Sequence, residues 1–84
     1  MLSTKQKAHL CVFNLCSVTE VKQEKVHPKW AKTLKAVNVE GFESKGNDIF
    51  WMSQELSSLC AEWYKDPQIK KQASRIWDAY QGCS

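Results

Sequence analysis

The sequence predicts an all-α fold, a compact bundle of four or five short helices. Three observations carry that expectation. Apolar residues recur at steps of three and four from Ile49 through Met52, Leu56, Leu59 and Cys60 to Trp63. The same spacing resumes with Ile69, Ala73, Ile76, Trp77 and Tyr80, and it is the period of an amphipathic helix. Between the two stripes stand Asp66 and Pro67, a helix-capping residue followed by the one favoured at the first helical position.

The elements follow in order. Ser3 and Gln6 have capping-box spacing and open a first helix. Ala8, Cys11, Val12 and Leu15 form its apolar face, with Leu10 and Phe13 on the other side. A helix apolar nearly all round is buried or lies under a partner. A strand over 10–16 is the rival reading, because Cys, Val and Phe suit one. Ser17 and Glu20 repeat the capping spacing, so a second helix starts at Val18 or the first continues past a break there. Val18, Val21 and Val26 give this segment a thin apolar face. His27-Pro28 marks the next start, after which Trp30, Leu34 and Val37 share one face and Lys29, Lys32 and Lys35 the opposite one. Residues 38–48 read as a loop, with a short β-hairpin around 37–51 as the alternative and Ser44-Lys45-Gly46-Asn47 as its turn. Asp48 or Asn47 then caps a long helix to about Lys65. Asp66 caps the last helix, and Gly82 stops it.

Length and composition bound the class. A chain of 84 residues makes one domain, 1–84, and buries only roughly 60% of the surface its unfolded form exposes. With 43% hydrophobic and 25% charged residues, it is globular in composition rather than disordered. The net charge of +3 is concentrated in residues 1–46, which hold eight Lys against four acids. That is well short of the basic stripe of a committed nucleic-acid binder. Arg75 is the lone Arg among twelve basic residues, and arginine is the usual base reader. The apolar run 10–16 is too short to span a bilayer, and no clean signal-cleavage site follows it. A cytoplasmic protein with reduced thiols is therefore expected. Cys11 and Cys60 fall on expected core faces as small buried hydrophobes.

No motif for chemistry emerges. There is no glycine-rich phosphate loop, HExxH, G-x-S-x-G or Cys-x-x-Cys. His9, Cys11, Cys16 and His27 carry ligand-type side chains without zinc-site spacing. Glu55, Glu62 and Asp66 are spread along a helix with little room for a cleft. No enzyme activity, cofactor or metal is expected.

Trp51 breaks the pattern. On a helical wheel it points away from Ile49, Met52, Leu56 and Cys60, toward Glu55, Ser58 and Glu62. A large aromatic on a polar face suits a partner anchor, and Phe50 stands beside it; cover by the N-terminal helices is the plainer explanation. The Lys29, Lys32 and Lys35 face would steer toward an acidic protein, or simply keep the chain solvated. Trp30, Trp63 and Trp77 read as core.

The expected function is a small non-enzymatic regulator or inhibitor that occupies a surface on a protein partner. In size and lack of chemistry the chain looks like the small regulators and inhibitors of phages and mobile elements, a resemblance in kind rather than in motif. The alternative is a helix-turn-helix-like DNA-binding regulator with 67–80 as recognition helix and Lys70, Lys71 and Arg75 facing the groove. A homodimer that buries Trp51 is a third possibility.

Overall fold

Ser3 caps the start of the first helix as its spacing predicts. Its Oγ accepts from the Gln6 amide at 3.1 Å, and its own amide donates to Gln6 Oε1 at 2.8 Å. Helix α1 runs Thr4–Leu15 in the computed structural model, which describes residues 2–15, 24–25, 28–46 and 49–81. The remaining elements are β1 (Glu24–Lys25), α2 (Pro28–Lys35), β2 (Phe42–Ser44), β3 (Ile49–Met52), α3 (Gln54–Trp63) and α4 (Pro67–Gln81). The fold is thus mainly helical, but it is not the all-α bundle expected. A small antiparallel sheet in the order β1-β3-β2 stands beside the helices.

The sheet replaces the first turn of the expected long helix. Asn47 and Asp48, the expected caps of that helix, lie outside the described residues, and Ile49–Met52 is strand. Ser53 caps α3 instead, its Oγ accepting from the Leu56 amide at 3.2 Å. Ile49-Phe50-Trp51-Met52 are β-branched, aromatic or long side chains that suit a pleated surface. Along this strand half-buried and buried positions alternate, with Phe50 and Met52 turned inward. Phe42 faces Met52, Glu43 faces Trp51 and Ser44 faces Phe50 across the β2–β3 ladder. This is the hairpin that the Ser44–Asn47 turn allowed. Gly46 turns it with φ +82°, and the Lys45 amide donates to the Ile49 carbonyl at 2.6 Å.

Glu24 and Lys25 pair with Phe50 and Ile49 on the other side of β3. A helix running from Val18 through Val26 is excluded at these two positions. The Ser17–Glu20 cap, Val21 and His27 lie outside the described residues, as do Cys16, Lys22, Gly82 and Cys83.

Helix α1 is the central element and packs against α4, α3 and α2. Every residue from Ala8 to Phe13 is buried, as expected of a helix apolar on nearly all sides. Phe13 meets Phe42 at 5.3 Å, Phe50 at 6.0 Å and Trp30 at 6.5 Å between ring centroids. Leu34, Val37, Met52, Leu56, Cys60, Ile69, Ala73 and Ile76 complete the core. The Asp66-Pro67 corner forms as predicted, with Asp66 Oδ1 accepting from the Gln68 amide at 2.9 Å. Three residues expected on apolar faces depart from expectation: Leu15 at the end of α1, Leu59 and Trp77 are exposed.

Gly41 locks the hairpin to α3. Its φ is +88°, and a Cβ there would lie 2.5 Å from Ser53 Oγ, the atom that caps α3. Gly46 has a similar φ but open space around it. Gly46→Ala is expected to cost about 1–2 kcal/mol for the left-handed backbone alone. Gly41→Ala should cost roughly 1 kcal/mol more, because the cap is displaced as well. Urea unfolding of the two variants against wild type measures the difference.

Candidate functional site

The strand phase decides which aromatic residue meets solvent. Neighbours on a strand point to opposite faces, so Phe50 and Trp51 separate. Phe50 is 1% exposed and sits between Phe13 and Phe42, 6.0 and 5.3 Å away. It is a core residue, which corrects its assignment as a partner anchor. Trp51 remains half-buried on the opposite face, with Lys45 Nζ 5.8 Å from its ring centroid. Lys45 is also paired with Glu43 at 2.7 Å.

Trp51 borders an open groove of about 620 Å³ alongside α3. Leu2, Val39, Leu56, Leu59 and Trp63 supply the other apolar lining, and Glu40 and Glu55 the charged lining. Three local features bring these residues together. The Gly41 turn carries Val39 and Glu40 past the start of α3, and the Ser53 cap starts α3 directly after β3. The capping box directs Leu2 back over the core. Leu56 is buried, whereas Leu59 is 49% exposed.

Periodicity predicts Leu59 and Trp63 in the core, and nothing in the sequence marks Leu2, Val39 or Glu40. A signal for Leu59 was present. At 3.6 residues per turn it lies about 60° from Leu56 on the side away from Cys60, at the stripe's edge.

The predicted cationic residues are not brought into this groove. Lys32 and Lys35 are exposed in the last turn of α2, where cations complement the helix dipole. The side chain of Lys29 lies outside the described set. Lys70 Nζ sits 5.9 Å from the Tyr64 ring centroid. Lys71 and Arg75 border a separate shallow depression with Thr4, Gln68 and Gln72.

Among the described residues the thiols and the imidazole are turned inward. Cys11 and Cys60 are buried free thiols, and Cys11 Sγ donates to the Cys60 carbonyl at 3.1 Å. Contact with the Cys11 thiol, then burial, pushes the Cys60 thiol above its ordinary range. His9 is buried, and its Nδ1–H donates to the Lys5 carbonyl at 2.9 Å. Ser57 Oγ donates to Asn14 Oδ1, tying α3 to α1. No cluster of three or more His, Cys, Asp or Glu suited to a metal occurs among the described residues. No helix among them is long and apolar enough to cross a membrane.

The chain matches no protein-family model, no curated protein and no solved structure.

His9 gives the protein a defined acid response. Burial lowers its pKa from 6.5, the nearby Lys5 charge adds to this, and the Lys5 carbonyl hydrogen bond offsets part of it. The unfolded chain then takes up the proton first as pH falls. The stability from neutral His9 is complete above pH 6.5 and is lost as pH falls through the depressed folded value. Urea midpoints should fall between about pH 7.5 and about pH 5, and His9→Gln should reduce that fall.

Proposed function

We propose that this protein acts by binding, as a small non-enzymatic regulator or inhibitor that occupies a surface on a protein partner. The observation that carries the reading is the apolar groove bordered by Trp51, Leu59 and Trp63. Half-buried tryptophan is a residue type enriched among interface hot spots, and the exposed Leu59 beside it extends the apolar patch. Trp51 keeps its role as an anchor, and Leu59 takes the place first given to Phe50. The Lys32 and Lys35 face serves solubility and long-range steering rather than direct contact. Adjacent unoxidised thiols at Cys11 and Cys60 suit a cytoplasmic setting. A phage or mobile-element origin remains part of the proposal by likeness of size and kind alone.

DNA binding is the second reading. It rests on Lys71 and Arg75, both exposed on α4 beside Gln68 and Gln72. Residues 47–84 hold four basic residues against five acids, and that balance makes it the weaker one.

One capture experiment separates the two. Tagged wild type, Trp51→Ala, Leu59→Ala and Lys71→Ala/Arg75→Ala are incubated with native lysate, with and without nuclease treatment. Partner yield should fall roughly tenfold in the first two variants, a loss of one buried apolar anchor. It should hold in the Lys71/Arg75 variant. Equal yield from all four sinks the groove reading, and nuclease-sensitive capture lost with Lys71 and Arg75 favours DNA.

A further inference from the structure

We infer that the groove beside α3 receives a protein segment that combines apolar side chains with lysine or arginine. The inference rests on the binding reading above and specifies the chemistry of its partner. The apolar half of the requirement comes from Trp51, Leu59 and Trp63, none of which is fully buried. A space of about 620 Å³ accepts a few side chains rather than a single small group.

Charge selects among apolar segments. The chain as a whole carries +3, with twelve basic and nine acidic residues. The ionisable side chains lining this groove run against that balance, being Glu40 and Glu55, both exposed. The lysine nearest Trp51 does not reverse the sign, because Lys45 is already paired with Glu43 at 2.7 Å. Lys7 approaches from α1 and rests 5.4 Å from the Trp63 ring centroid. Lys7 thus occupies the Trp63 face as Lys45 does that of Trp51, which leaves the carboxylates of Glu40 and Glu55 for a partner. An acidic segment would bring like charge against two carboxylates. A basic one gains complementary pairs with Glu40 and Glu55. This reverses the sign expected from the lysine face of α2, which lies outside the groove lining.

A random dodecamer peptide library displayed on phage, selected on the immobilised full chain, tests the inference. Enriched peptides should carry aliphatic or aromatic residues together with net positive charge. A synthetic enriched peptide should bind Leu59→Ser about tenfold more weakly, the cost of one apolar contact. It should bind Glu40→Gln/Glu55→Gln roughly threefold more weakly, with a reduced salt dependence. These residues are solvent-facing, so far-UV circular dichroism should match wild type in every variant.

Enrichment of acidic or uncharged peptides overturns the inference, as does failure to enrich any. Binding unchanged in both variants overturns it too. Self-association at micromolar concentration that disappears in Leu59→Ser would assign the groove to a second copy instead. Failure here with partner capture still dependent on Trp51 and Leu59 removes the charge assignment alone. Failure of both removes the groove as a binding site.

Discussion

The packing of three phenylalanine rings is the constraint on which the rest of the structure depends. Phe13 comes from α1, Phe42 from β2 and Phe50 from β3, and their centroids lie 5.3 to 6.0 Å apart. Each pair contributes about 0.5–1.5 kcal/mol beyond its buried area. A three-stranded sheet this short has too few ladder hydrogen bonds to stand alone. It persists because one face is pinned to α1 through these rings, with Trp30 of α2 joining at 6.5 Å.

Pinning Phe50 inward determines what faces outward. A strand has a period of two, so placing Phe50 and Met52 in the core places Trp51 on the opposite face. The Gly41 turn and the Ser53 cap then set where α3 begins. That start orients Leu56 and Cys60 toward the core and leaves Leu59 and Trp63 at its margin. The groove is therefore a by-product of core packing in its position. Its composition is not accounted for by the core, since Leu59 gains little folded-state burial where it stands.

Much of this organisation is legible in the chain. Ser3 and Gln6 announce α1, Pro28 announces α2, and Asp66-Pro67 announces the corner before α4, each through chemistry confined to a few neighbouring residues. The buried Cys11 and Cys60 also follow from their places in apolar stripes. The sheet was harder to see because Ile49, Met52 and Leu56 have helical spacing by coincidence. Period alone cannot tell a four-residue apolar strand from a helix turn. What decides is tertiary, namely the contact of Phe50 with Phe13 and Phe42, which are 37 and 8 positions away by subtraction of their numbers. The same gap explains the site. Trp51 is an outlier only on a helical wheel, whereas it lies in β3, and the strand sends Phe50 and Trp51 to opposite faces. Leu2, Val39 and Glu40 join the groove only through the fold.

The central claim is that Phe50 belongs to the core and Trp51 to the surface. Urea unfolding of Phe50→Ala and Trp51→Ala measured side by side tests it most directly. Phe50→Ala should lose about 3–5 kcal/mol, enough to unfold a domain of this size. Trp51→Ala should lose about 1 kcal/mol or less and keep a cooperative transition. A Trp51→Ala loss equal to or greater than that of Phe50→Ala would contradict the strand phase and, with it, the groove.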